Sequence, residues 1–146
     1  MRSIIALIRT GARDEGIRRI ASSLAVGSDA MRIVYVWHYV RARVRYVRDP
    51  EGVELVQSAR RTLERGEGDC DDFTILVGAL LCALGYPVRV TLVQHAGAVE
   101  FNHVVPEVRV GNRWLALDAS DKRTKPGVIR GVVRRVLPVG VVICRT

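Results

Sequence analysis

The chain has 146 residues, 49% of them hydrophobic, with mean hydropathy +0.13 and a formal net charge of +8. That length makes a single domain, 1–146, the default, and the apolar content excludes a disordered polyelectrolyte. No apolar run approaches the ~20 residues that cross a bilayer, and Ile4-Ile5-Ala6-Leu7-Ile8 is too short for a signal-peptide core, so a soluble, cytoplasmic protein with no membrane partner is expected.

In chain order, the N-terminal third reads as helical. Ile17, Ile20, Leu24 and Val26 form an apolar stripe. Ser28-Asp29 is an N-cap signal for a second helix, on which Ile33, Trp37, Val40 and Val44 share one face. Asp49-Pro50-Glu51-Gly52 is a turn that ends it. The strongest helix spans 70–84, with Phe73, Leu76, Val77, Leu80, Leu81 and Leu84 on one face. Asp69, Asp71 and Asp72 stand at its start, where carboxylates favour the helix dipole. Gly85 and Pro87 stop it. Strands follow at 88–94, 101–110 and 113–119, with Gly111-Asn112 as a two-residue hairpin turn. The stretch 132–143 is rich in β-branched residues but contains Pro138, which marks an edge strand or pair. Helices first and a meander afterwards define an α+β domain.

The charge is unevenly placed. Residues 1–65 hold 13 basic and 7 acidic side chains, 66–121 hold 3 and 8, and 122–146 hold 7 and none. Two basic flanks of +6 and +7 therefore surround an acidic centre of −5. The flanks are expected to pair with the core or to take an acidic polymer as partner, their exposed arginines otherwise being solvated. The three cysteines, 70, 82 and 144, are odd in number and widely spaced, which argues against a disulfide framework and leaves room for a reactive thiol.

Cys70 is the cysteine in a reactive setting. It follows the loop Gly66-Glu67-Gly68-Asp69 and begins the apolar helix, where backbone N–H groups lower a thiol pKa and bind an oxyanion. The flanking aspartates push the thiol the other way, a conflict that an imidazole partner would resolve. His95 and His103 are both downstream. A two-residue loop at 111–112 sets Val110 opposite Arg113 and Asp118 opposite Val105, which puts His103 diagonal to Asp118 on the same sheet face, within side-chain reach. A bulge at Pro106 would shift that register. His95 gains no such carboxylate. Nucleophile, base and orienting acid in this order make a Cys-His-Asp arrangement. Cys82 and Cys144 read as buried core residues, Asp71 and Asp72 as helix stabilisers, and Trp37 and Trp114 as packing residues. No Cys-x-x-Cys or His-x-x-x-His pair suggests zinc, and no loop supplies the oxygens of a calcium site.

The segments Gly68-Asp69-Cys70-Asp71-Asp72-Phe73, Leu84-Gly85-Tyr86-Pro87-Val88-Arg89-Val90, Asn102-His103-Val104-Val105-Pro106-Glu107 and Arg113-Trp114-Leu115-Ala116-Leu117-Asp118 together resemble the transglutaminase core over about residues 53–120. With the Trp37 helix and Tyr46-Val47-Arg48-Asp49-Pro50, the chain most resembles the small transglutaminase-like proteins of tailed phages and prophages. The resemblance implies a papain-like fold, with the nucleophile on a helix N-terminus packed on an antiparallel sheet and a basic segment, 122–146, beyond the core. It implies catalytic Cys70, His103 and Asp118 and an oxyanion hole made by the Cys70 backbone N–H and an upstream donor, for which Gln57 is the candidate. The implied reaction is cysteine-dependent acyl transfer on a protein, peptide or other amide, hydrolysis rather than amine crosslinking, with no metal or organic cofactor. The implied place is a host cytoplasm or a virion. The family often carries an aromatic two residues after its histidine, where this chain has Val105 followed by Pro106, so the substrate groove is expected to differ. The alternatives are a non-catalytic interaction or phage structural module, and nucleic-acid binding by the basic flanks, which lacks stacking aromatics and a recognition motif.

Overall fold

The computed structural model describes residues 2–50 and 56–136. Residues 53–55 of the expected core, 137–143 of the expected edge segment, and Cys144 lie outside the described residues. Among the described residues, five helices and six strands run in the order α1 (Arg2–Arg13), α2 (Glu15–Leu24), α3 (Asp29–Arg43), β1 (Arg45–Tyr46), α4 (Ala59–Arg65), β2 (Glu67–Gly68), α5 (Cys70–Ala83), β3 (Val88–Gln94), β4 (His103–Val110), β5 (Arg113–Ala116) and β6 (Val133–Val136).

The apolar helix α5 is the axis of the molecule. Its residues from Asp72 to Cys82 are all buried, because helices cover one side and the sheet the other. A helix apolar on every side is stable only when enclosed in this way. Burying Leu76, Leu80 and Leu81 contributes about 1.5–3 kcal/mol each. Close approach of α1 depends on small residues. A Cβ on Gly78 would sit 2.8 Å from Ile8 Cδ1, and one on Gly11 would sit 2.8 Å from Ala79 Cβ. The short run Ile4-Ile5-Ala6-Leu7-Ile8 thus belongs to an amphipathic helix whose Ile4, Ile5 and Ile8 enter the core. Ser28 caps α3 as its sequence suggests, its side chain accepting from the Met31 N–H. Helix α4 lacks a long apolar stripe, and is set by the Ser58 cap and by Gly66 in the left-handed region at its end.

Strands β3, β4, β5 and β6 form one sheet in the order β5-β4-β3-β6, with all three pairings antiparallel. The β4–β5 register sets Val110 opposite Arg113 and Glu107 opposite Ala116, as the two-residue turn requires. The Leu117 N–H donates to the Pro106 carbonyl at 3.0 Å, which continues the β4–β5 register, and the β3–β4 ladder runs through Pro106 without an offset, so no bulge intervenes. Strand β5 is three residues shorter than its pattern suggests. After Leu117, the Asp118 carboxylate accepts from the Ser120 N–H. That local turn lifts the chain off the ladder. Strand β6 lies at the sheet edge, beside β3. Cys82 is fully buried in the core, as expected, but it is disulfide-bonded, which corrects the expectation drawn from the odd number and wide spacing of the cysteines. Cys70 is the free cysteine among the described residues.

Candidate active site

The segment that starts α5 is built by its own carboxylates. Asp69 is the N-cap, accepting from the Asp71 and Asp72 N–H groups, and Asp72 reaches back to accept from the Asp69 N–H at 3.1 Å. This reciprocal capping box needs a glycine before it: a Cβ on Gly68 would stand 2.6 Å from Asp72 Cβ. Asp72 is 1% exposed and also accepts from the Gln57 backbone N–H at 2.8 Å and the Gln57 side-chain amide at 3.1 Å. The second donor of that amide goes to the Glu67 carbonyl at 3.1 Å, and its oxygen accepts from Arg65. Gln57 therefore ties the chain before α4 to the start of α5, and both donors expected at an oxyanion are committed elsewhere.

Cys70 is the first residue of α5, so its backbone N–H has no partner within the helix. Its thiol donates to Asp71 Oδ1 at 4.0 Å and accepts from the Val104 backbone N–H. Burial, then the Asp71 charge, pushes the thiol up to about 12, with Asp69 and Asp118 adding to the rise and Val104 opposing it. Val104 directly follows His103, so the thiol stands against the first residues of β4. His103 Nε2 lies 2.6 Å from Asp118 Oδ2, and both side chains are buried, at 8% and 3% exposure. A carboxylate only accepts, so Nε2 donates this bond, and Nδ1 is the nitrogen it leaves uncommitted. The diagonal pairing read from the hairpin register is thus a direct hydrogen bond.

Asp118 is fixed from several sides. Its second oxygen accepts from the Ser120 hydroxyl at 2.6 Å and the Ser120 N–H at 3.1 Å. Its carbonyl accepts from the Thr124 hydroxyl at 2.7 Å and from Trp37 Nε1 at 3.4 Å. Arg41 stacks on Trp37 at 4.4 Å and donates to the carbonyls of Asp121, Lys122 and Thr124. Helix α3 therefore clamps the loop that carries Asp118. Trp37 packs as expected, whereas Arg41 is no solvated surface charge.

Three further neighbours were given no site role by the sequence, His95 having been weighed as the imidazole and set aside. The His95 ring stacks on His103 at 4.9 Å between centroids. Burial, then His103, holds the His95 imidazole below its ordinary value. Tyr46, on β1, is raised by burial and then by the charges of Cys70 and Asp69, so its hydroxyl feels the field of the thiol. Asp49 hydrogen-bonds Asp69. The Tyr46-Val47-Arg48-Asp49-Pro50 segment was the available signal for Tyr46 and Asp49. No sequence spacing connects His95 to His103, because their contact arises from the β3–β4 turn.

Two grooves flank this cluster. One, of about 300 Å³, is lined by Tyr46, Phe73, Ser120 and Lys122 among others. The other, of about 380 Å³, is lined by His95, Ala96, Arg123, Arg130, Gly131 and Val132. Among the described residues no group of three or more His, Cys, Asp or Glu side chains is disposed to hold a metal ion, and no helix is long and apolar enough to cross a membrane. A thiol at a helix N-terminus, an imidazole and an orienting carboxylate are the parts of a nucleophile–base pair.

Comparison with known proteins agrees with this fold. The core of the transglutaminase-like superfamily matches residues 18–119, and the chain belongs to that superfamily. Similar solved structures include a candidate protease from Parabacteroides distasonis (15% identity, TM-score 0.64, 80% of this chain and 26% of that one). Another is a candidate cysteine protease from Cytophaga hutchinsonii (16% identity, TM-score 0.64, 99% and 57%). A third is a TGase (16% identity, TM-score 0.59, 88% and 34%). The chain thus spans between about a quarter and just over half of the length of these structures. No curated protein matches it.

Proposed function

We propose that the protein is a cysteine-dependent enzyme of amide or peptide bonds that works through a thioester, with hydrolysis as its main outcome. Cys70 is the nucleophile, His103 the base and then acid, and Asp118 the group that orients His103. The observation that carries this reading is the 2.6 Å His103–Asp118 bond beside a thiol that accepts from the next backbone N–H, that of Val104.

In the first step the Cys70 proton passes to His103 Nδ1 as sulfur bonds to the carbonyl carbon. The C–N bond then breaks, and the departing amine takes the proton from His103. Water attacks the thioester, gives a proton to His103, and the acid leaves as sulfur recovers that proton. The Cys70 N–H supplies one oxyanion donor. With both Gln57 donors engaged, the Tyr46 hydroxyl is the candidate for the second. Its Phe variant is expected to lower the acylation rate about tenfold while leaving thiol alkylation unchanged. A phage or prophage origin, and with it a virion or host-cytoplasm location, belongs to the same proposal and rests on the motif resemblance alone.

The test is labelling with a thiol-reactive acyl probe near neutral pH. The full chain should react and Cys70→Ala should not; equal labelling of both would sink the reading. A second reading is favoured by one observation. A thiol pushed up to about 12 is protonated at rest, as suits a non-catalytic module that keeps the scaffold. Iodoacetamide kinetics separate the two. A catalytic Cys70 reacts faster than a free thiol and loses that advantage in His103→Ala, whereas a module reacts slowly in both chains.

A further inference from the structure

The C-terminal basic flank does more than balance the acidic centre. After β5 the chain turns through Asp121, Arg123 and Arg130 and returns along the end of β3, where the Val132 N–H donates to the Gln94 carbonyl at 2.8 Å. That close return needs Gly131, because a Cβ there would overlap Val93 Cγ1. The result is the groove of about 380 Å³ with His95, Arg123 and Arg130 in its wall.

The charge of this wall is readable. Arg123 grips Asp121 with Nε at 3.0 Å and Nη2 at 3.3 Å, one to each oxygen, and Arg130 Nη1 lies 3.8 Å from the oxygen that takes Nη2. Among the described side chains one carboxylate thus faces two guanidiniums, which leaves about one positive charge uncompensated in the groove. Asp121 itself stands behind the lining and is largely covered, at 11% exposure, while Arg123 and Arg130 are 70% and 43% exposed. A single surplus charge on planar donors matches a carboxylate better than a dianionic phosphate.

The position of the groove assigns it to one side of the reaction. His95 forms part of its wall and stacks on His103. In the proposed chemistry His103 hands its proton to the departing amine, so a groove one ring beyond His103, walled by the His95 that stacks on it, is placed to receive the far end of the amine portion of the substrate. We infer that the His95–Arg123–Arg130 groove is a carboxylate-binding subsite for the leaving group. The substrate class is then amides whose departing amine carries an α-carboxylate or an acidic side chain. This rests on the triad reading for its chemistry but not for its binding.

Binding is therefore tested without turnover. The full chain, labelled for NMR at its arginine and histidine side chains, is titrated with N-acetylglycine, N-acetylglutamate amide, N-acetylglycinamide and inorganic phosphate. The expected result is saturable shifts at Arg123, Arg130 and His95 with one or both carboxylates, at least tenfold tighter than with the neutral amide. That factor is the size of one partly exposed charge-assisted hydrogen bond. The tighter of the two acids identifies a terminal or a side-chain carboxylate. Arg123→Gln/Arg130→Gln should abolish the preference, and Arg18→Gln/Arg19→Gln, on the distant α2, should preserve it. No saturable shift with either acid, binding of phosphate alone, or equal loss in the α2 variant would overturn the subsite. A parallel readout is alkylation of Cys70 by bromoacetylglycine against bromoacetylglycinamide, located by peptide mass spectrometry. If Cys70 alkylates no faster than a free thiol while the acids still bind, the catalytic reading fails and the subsite stands.

Discussion

The Cys70–His103–Asp118 cluster lies between two walls of opposite charge. On the helix side, Asp69, Asp71 and Asp72 crowd the first turn of α5, with Asp49 bonded to Asp69. On the sheet side, His95, Arg123 and Arg130 line a groove around a single Asp121. The helix side is built for structure. Its carboxylates cap α5 and hold Gln57, and their cost is a thiol pushed up to about 12 and an Asp69 pushed up to about 7. The sheet side is left cationic and open. Charge summed over the whole sequence conceals this contrast, and even the −5 of the central segment misplaces it, because Arg123 and Arg130 fold back from the basic flank to meet the acidic centre.

The largest expected effects fall where the two walls meet. Cys70→Ala and His103→Ala should each lower turnover by about 10³-fold or more, because members of one catalytic unit fail together. The double variant should then be little worse than either single, as read by single-turnover acylation. Losses that multiply in the double variant would separate the thiol from the imidazole and break the contrast at its centre.

Asp118→Asn comes next. The amide keeps the shape and the Ser120 contacts but offers its own N–H groups to His103, which favours the wrong tautomer. A loss of about 10²-fold is expected, with a pH–rate profile moved relative to the native chain. An unchanged profile would demote Asp118 from an orienting group to a loop cap.

The helix wall is sharpened by Asp71→Asn. Asp71 is the largest charge acting to raise the thiol, so its removal should lower the Cys70 pKa and speed alkylation by iodoacetamide at pH 7.5 by about 3–10-fold. Slower alkylation would mean that Asp71 instead accepts the thiol proton.

The His103–Asp118 diagonal was legible because β-hairpin registers are arithmetic. Gly111-Asn112 determines which residues face each other, and His103 and Asp118 follow from it. Helix α5 was legible because its caps and its apolar face agree. What escaped the sequence depends on contacts between distant segments. His95 acquires its place from the turn between β3 and β4, and Arg41 from the crossing of α3 over the 118–124 loop. Gln57 has the spacing of an oxyanion donor, but Asp72, in the first turn of α5, captures its amide. The same Asp72 explains why Gly68-Asp69-Cys70-Asp71-Asp72 holds together: two of its aspartates cap the helix, and its glycine makes room for one of them.

The smallest effect concerns Asp69, and its sign distinguishes structural from catalytic cost. Burial, then the hydrogen bond with Asp49, lifts Asp69 from an ordinary 3.8 to about 7. Between these values the folded chain holds a proton that the unfolded chain has released. Stability from this group is therefore fully present below about pH 4 and is lost as pH rises through about 7. Asp69→Asn keeps an N-cap acceptor and cannot titrate. Urea midpoints of the two chains should diverge in favour of the variant between pH 5 and pH 8, by about 1 kcal/mol once partial exposure is allowed for. A constant difference across that range would mean that Asp49 and Asp69 share no proton. The acidity of the helix wall would then act on the thiol alone.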